Sequence, residues 1–319
     1  MMRVAVIEVG SRSIRLLVAD RAGDTLVPVG GHAVDLDLMR LVRSNAAALG
    51  VERLIEIVQT LRQTAVRLSA ERIAVFGTEA ARQLARQLGA DALAGITLME
   101  AEDEAQCSLT AAALHLEGLQ AGAGLCAIDH GNGSLELAYG RATSPVCMEA
   151  GHSAPLGSDR LLTQLRGLHV DVAAYRTWAY AQIDALHLPS PKRGVVVVQG
   201  SVATKCAWLT VRRGLDDRYE PQRVHGHRMG VEGLRRLAEV VAAKPVAEWP
   251  ALSRFVNPRD PPTDQIERLL TGCILLERLL HRLECEEFLV GAFGARYGMA
   301  WNLATGVGSG LTVQPAPVA

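Results

Sequence analysis

The chain has 319 residues, 33 Lys and Arg against 34 Asp and Glu, and 49% hydrophobic residues with only 4% aromatic. That length is too great for one small core and fits two domains of roughly 150 residues each. A net charge of -1 excludes an overall basic field for nucleic acid or an anionic membrane, so an anionic ligand must be held by a local cluster.

The β-branched run Val4-Ala5-Val6-Ile7 is followed by Glu8-Val9-Gly10-Ser11-Arg12-Ser13 and a second apolar run from Ile14 to Ala19. Two strands around a short Gly/Ser turn read as a β-hairpin. A further strand is expected around Thr25-Leu26-Val27-Pro28-Val29, with Pro28 favouring a sheet edge. Apolar positions from Val51 to Leu68 recur at helical spacing, Val75-Phe76 reads as a buried strand, and Ala80 to Leu88 as a helix. Ile96 to Met99 is a short strand before a helix over Glu102 to Leu114. The glycines between Gly118 and Gly124 mark the expected boundary, giving domains over 1–122 and 123–319.

Leu125-Cys126-Ala127-Ile128, then Asp129-His130-Gly131-Asn132-Gly133-Ser134, then Leu135 to Tyr139 repeat the opening hairpin. Glu8 and Asp129, Gly10 and Gly131, and Ser13 and Ser134 are each 121 positions apart, an internal repeat that implies two domains of similar topology. Helices are expected over Ser158 to Leu168, Ala173 to Leu186 and Val231 to Ala243. Another, from Gln265 to Leu283, is apolar on most faces and therefore buried. The strand Val195 to Val198 ends in Gln199-Gly200-Ser201, and Phe288 to Val290 is a last strand closed by the Gly-rich stretch Gly291 to Gly298. After Thr305 the Gly/Pro content suggests a frayed tail. This alternation implies α/β layers.

Six cysteines (Cys107, Cys126, Cys147, Cys206, Cys273, Cys285) show no CxxC pair or zinc spacing, and most read as small hydrophobes inside apolar runs. Met1 to Val9 is too short and too charged for a secretory signal, and the apolar runs fall short of the roughly 20 residues that span a bilayer. The expectation is a soluble, cytoplasmic protein.

Gly131 and Gly133 let the backbone approach a ligand and aim N–H groups at one point, a nest suited to phosphate oxygens; an ordinary Gly/Asn hairpin turn has the same composition. The second copy at Glu8 to Ser13 favours the phosphate reading, because two facing turns make a clamp around a polyphosphate. Glu102-Asp103-Glu104 at a helix start fits dipole complementarity, worth about 0.3–1 kcal/mol each, or places one carboxylate as a general base. Arg82, at a strand-to-helix junction, suits a bidentate grip on phosphate or a surface salt bridge. Arg12, Arg15 and Lys205 complete a candidate cationic cluster. His225 and His227 have no third metal ligand nearby, and no serine has an identifiable His or Asp partner for nucleophilic hydrolysis.

Together these motifs resemble the exopolyphosphatase / guanosine pentaphosphate phosphatase (Ppx/GppA) family, within the actin, sugar kinase and Hsp70 superfamily. The resemblance runs from about Val4 to Leu303. Glu8 to Ser13 stands against the family pattern Asp-x-Gly-Ser-Asn-Ser, and Asp129 to Glu136 against Asp-x-Gly-Gly-Gly-Ser-x-Glu. Gly77 to Arg82, Glu102 to Ala105, Pro155-Leu156-Gly157, Gln199-Gly200-Ser201, Val224-His225-Gly226 and Gly294 to Gly298 complete the series. The resemblance implies an α/β fold of two actin-like (ribonuclease H-like) domains with a cleft between them, without the C-terminal helical domain of the longest members.

It also implies a Mg²⁺-assisted phosphohydrolase that removes terminal phosphate from inorganic polyphosphate or guanosine pentaphosphate, with a homodimer as its assembly and neither nucleic acid nor membrane as partner. Carried over, Glu104 is the base that activates the attacking water and Glu136 a water-positioning group. Asp129 and Glu8 hold the metal. The substrate-binding set is Ser11, Arg12, Ser13, Arg82, Gly131, Asn132, Gly133, Ser134, Gly200 and Ser201. Catalysis would be positioning and charge neutralisation.

The chain departs from pattern at Glu8 (for Asp), Arg12 (for Asn), Asn132 (for Gly), Gln199 and Tyr297. Asn132 would be strained if that position requires a positive φ. These substitutions motivate an alternative, a catalytically impaired sensor that binds polyphosphate or an alarmone. A sugar kinase or ATPase of the same superfamily needs an adenosine pocket, which Gln199-Gly200-Ser201 matches poorly.

Overall fold

The computed structural model describes residues 2–43, 47–114, 116, 118–188, 194–212, 219–252, 262–307 and 314–315. The chain forms two compact units, one of Met1–His115, Ser144–Val146 and Gly294–Ala319, the other of Leu116–Thr143 and Cys147–Phe293.

In the first unit β1 (Arg3–Val9), β2 (Ser13–Ala22) and β3 (Thr25–Asp35) make an antiparallel meander. Then come α1 (Leu38–Arg43), α2 (Ala47–Arg67), β4 (Arg72–Gly77), α3 (Glu79–Leu88), β5 (Thr97–Leu98) and α4 (Ala101–Leu114). β4 lies parallel to β1, with β5 beyond it, so β3 is left at the edge with its Pro28. Val4, Ala5, Val6, Ile7 and Val9 are all fully buried, the continuous apolar run of a strand covered on both faces. The α2 stripe Leu54, Val58, Leu61 and Ala65 packs into this core, as its helical spacing predicts.

The second unit repeats the plan. β6 (Gly124–His130), β7 (Leu135–Arg141) and β8 (Cys147–Ala154) form the meander, followed by α5 (Ser158–Gly167), α6 (Val172–Asp184), β9 (Val195–Gln199) and α7 (Ser201–Val211). β10 (Arg228–Gly230), α8 (Val231–Ala242), α9 (Trp249–Leu252), α10 (Pro262–Arg282) and β11 (Glu287–Gly291) extend it. The sheet order is β10-β11-β9-β6-β7-β8, with β9 parallel to both β6 and β11. α10 contributes Ile266, Leu269, Leu270, Cys273, Ile274, Leu275, Leu276, Leu279 and Leu280 to the core, as its apolar faces require.

The repeat extends to the ladders. Val9 pairs with Ile14 at the first hairpin end and His130 with Leu135 at the second. The register shifts between Val18 and Ala19 of β2, and between Tyr139 and Gly140 of β7, again 121 positions on. Such a shift bends and twists a strand, so both meanders curve at the same point.

After Phe293 the chain returns to the first unit, where α11 (Ala295–Thr305) packs on α4 and β1 and β12 (Gln314–Pro315) pairs with β4. The segment from Gly294 onward, expected within 123–319 as part of the second domain, thus belongs to the first. The physical reason is close helix packing: a Cβ on Gly298 would lie 1.9 Å from the Cys107 carbonyl oxygen, so only glycine permits the approach. The Gly-rich stretch after the last strand runs into this helix from Ala295. Cys107, Cys126, Cys206 and Cys273 are buried, while Cys285 is half-buried and Cys147 exposed. Among the described residues no helix is long and apolar enough to cross a membrane.

Candidate functional site

In the second unit, Asp129 and Glu136 stand directly opposite one another on the β6–β7 ladder. Side chains so placed share a face with Cβ atoms about 5 Å apart. Glu136 is buried and accepts a hydrogen bond from Ser153 Oγ of β8 at 3.1 Å. The turn beyond them closes by Gly131 N donating to Ser134 O at 3.0 Å. The N–H groups of Asn132 and Gly133 donate to no partner among the described residues. Asn132 is absent from the residues with positive φ, so asparagine is accommodated here without backbone strain.

The back of this turn is built by the corner between β8 and α5. Ser158 N donates to Gly131 O and Asp159 N to Asn132 O, each at 3.0 Å. A Cβ at Gly157 would fall 2.3 Å from Asn132 O, which explains the glycine in Pro155-Leu156-Gly157. Ser158 Oγ donates to Asn132 Oδ1 at 2.9 Å and accepts from Arg268 Nη1 of α10 at 3.0 Å. Arg268 also pairs with Asp159 Oδ1 at 2.6 Å. His130, immediately before the turn, is 2% exposed and meets the Leu156 carbonyl through Nε2 at 3.2 Å. Burial, aided by the Arg268 charge, pulls its pKa down to about 4, so this imidazole is neutral in the native protein near pH 7. Gly200, the residue before α7, lies so close that a Cβ there would fall 2.3 Å from the His130 carbonyl oxygen. Ser201 is exposed at that helix start, and Lys205, one turn in, is buried.

The corresponding turn of the first unit closes by Gly10 N donating to Ser13 O at 3.1 Å. Met39 N of α1 donates to Ser11 O at 3.2 Å, the same arrangement as Asp159 N on Asn132 O. The charges differ. Glu8 is opposite Arg15, not opposite an acid, and its Oε2 accepts from Arg296 Nη1 at 2.6 Å. Arg15 Nε donates to Ser13 Oγ at 2.9 Å. Ser11 and Ser13 are buried, Arg12 is half-buried and Arg15 exposed.

Arg82 and Glu104 are brought together, with Nη1 3.4 Å from Oε2 and Glu104 only 8% exposed. The rest of the guanidinium is engaged by Glu79, through Nε at 3.0 Å and Nη2 at 2.9 Å, and by the Met99 carbonyl through Nη1. Glu102, Asp103 and Glu104 do occupy the first turn of α4, and the buried one is Glu104. Arg268, Ser158 and Arg296 were not singled out from sequence. Arg296 carried a signal in its glycine-flanked motif, whereas Arg268 lies 110 residues from Ser158 with no local cue. No group of three or more metal-capable side chains is present among the described residues.

The fold defined by these two sheets is an α/β duplication, each half opening on the same antiparallel meander with a parallel strand beside it. Solved Ppx/GppA structures share this fold. A Ppx/GppA protein from Aquifex aeolicus superposes with a TM-score of 0.77 at 20% identity, over 97% of this chain and 99% of that one. An exopolyphosphatase from Cytophaga hutchinsonii gives 0.74 at 14% identity, over 96% and 99%. No family model matches the chain. An uncharacterised protein of Streptomyces coelicolor is 34% identical over 167 residues, 50% of this chain and 48% of that relative, so the match spans about half the length of each.

Proposed function

We propose that this chain is a phosphohydrolase that removes terminal phosphate from inorganic polyphosphate or a guanosine polyphosphate. The observation that carries the reading is the second-unit hairpin, where Asp129 and Glu136 sit side by side at the base of a turn whose Asn132 and Gly133 N–H groups donate to nothing among the described residues. Two like charges placed opposite each other on a ladder are unfavourable by themselves, and a shared divalent cation relieves them. Hard carboxylate oxygens suit Mg²⁺. Bound there, magnesium would supply charge neutralisation to a phosphate. Glu8 fits a cation less well, because Arg296 already holds one of its oxygens.

The chain's own groups would then divide the work. The N–H groups of Asn132 and Gly133 cradle phosphate oxygens, with Ser134 beside them. Glu104 takes the proton of the attacking water, and the neighbouring Arg82 provides its counter-charge. The test is phosphate release from long-chain polyphosphate in the presence of Mg²⁺, for the wild type and for Glu104→Gln. No release by the wild type, or an unchanged rate in the variant, rules out the hydrolase assignment.

A second reading is favoured by one observation. Arg82, expected to grip phosphate, is engaged by Glu79, Met99 and Glu104 within its own unit. A protein that binds the anion without turning it over fits that engagement. Calorimetric binding of tripolyphosphate without phosphate release selects it.

A further inference from the structure

Asn132 stands where the resemblance expects a glycine, and its side chain is wired into the second unit by a directed chain of hydrogen bonds. Chemistry fixes the direction of its first step. Arginine only donates, so the contact from Arg268 Nη1 at 3.0 Å makes Ser158 Oγ an acceptor. That leaves the serine proton for its other contact, at 2.9 Å, where it donates to Asn132 Oδ1. Asn132 therefore presents Oδ1 to Ser158 and turns its NH₂ the other way. The hydroxyl that meets the amide oxygen is itself held by a buried guanidinium, two hydrogen bonds from Asn132. Arg268 is itself held by Asp159 at 2.6 Å and is 9% exposed. The half-buried Asn132 Nδ2 donates to nothing among the described residues.

The geometry points to Asn132 Nδ2 as a side-chain donor to a phosphate oxygen of the bound anion, with Ser158 and Arg268 as positioning residues that hold the amide in that orientation. This rests on the anion-binding reading of the β6–β7 turn. It adds to that turn a donor that a glycine cannot supply.

The test uses tripolyphosphate binding to the full chain, measured by calorimetry, together with the Asn132 side-chain amide signal in ¹⁵N NMR. Asn132→Asp, which keeps the shape but replaces donors by a negative charge, is expected to weaken binding about tenfold or more. Ser158→Ala frees the amide to flip, so it weakens binding in the wild type and does so by a smaller factor in an Asn132→Gly background. In the wild type the Asn132 NH₂ signal shifts on adding tripolyphosphate. Wild-type affinity in Asn132→Asp, an unmoved NH₂ signal, or equal effects of Ser158→Ala in both backgrounds overturns the donor assignment while leaving the turn as an anion site. Absence of any tripolyphosphate binding by the wild type overturns both.

Discussion

Arg296 Nη1 and Glu8 Oε2 meet at 2.6 Å although they are 288 residues apart, and the pair fastens the returning C-terminal helix to the first hairpin. Both side chains are about four-fifths buried, at 19% and 22% exposure. Removing one partner of such a pair leaves the other charge poorly solvated. Arg296→Met is expected to cost about 1–3 kcal/mol of stability, with part recovered when Glu8→Gln is added. Urea unfolding of the two single variants and the double variant measures this. Strict additivity would show that the two groups do not interact.

Glu104 and Arg82 separate chemistry from binding. If Glu104 is the base, Glu104→Gln lowers phosphate release by about 100-fold or more. Its tripolyphosphate affinity should stay close to that of the wild type, since the proposed cradle is elsewhere in the chain. Parallel losses of rate and affinity would instead make Glu104 a structural partner of Arg82.

Gly200 and Gly226 both have positive φ, +103° and +74°, but only one is crowded. A Cβ at 200 would lie 2.3 Å from the His130 carbonyl oxygen, whereas one at 226 meets nothing within 4 Å. Gly226→Ala should therefore cost about 1 kcal/mol of backbone strain and Gly200→Ala at least about 2 kcal/mol more. The Gly200 variant should also disturb the turn that follows His130. Equal shifts in thermal midpoint would contradict the backbone contact.

The duplicated hairpin was legible because its signal is local: an acid, two small residues and a serine between apolar runs, repeated at fixed spacing. The helix α2 was equally plain from its single apolar stripe. Where sequence reading stopped, the cause is tertiary. α7 buries Val202, Ala203, Cys206, Ala207 and Trp208 around most of its circumference, so no amphipathic period marks it. α11 needs Gly298 against Cys107, and a glycine chosen for close packing looks like a turn residue. β8 is an edge strand with Gly151, His152 and Ser153, and it lacks an apolar alternation. At the candidate site, the motif residues were visible, but the chain from Arg268 through Ser158 to Asn132 exists only after α10 and α5 pack together.

His130 supplies a pH dependence of known sign. Burial lowers its pKa from 6.5 to about 4 in the native protein. Well above pH 6.5 the imidazole is neutral folded or unfolded, and its contribution to stability is fully present. Between about 6.5 and 4 the unfolded chain binds a proton that the native chain refuses, so stability falls with acidification by up to about 1.4 kcal/mol per pH unit. The carboxylates titrating in the same range are shared by any variant at this position, so a comparison cancels them. His130→Gln should lose about 2–3 kcal/mol less than the wild type between pH 7 and pH 4.5 in urea unfolding. The midpoint at pH 7 is irrelevant to that difference, which keeps the test valid even if the variant is less stable throughout. Parallel pH profiles would mean that His130 takes up its proton in the folded protein, and the neutral Nε2–H donating to Leu156 would have to be abandoned.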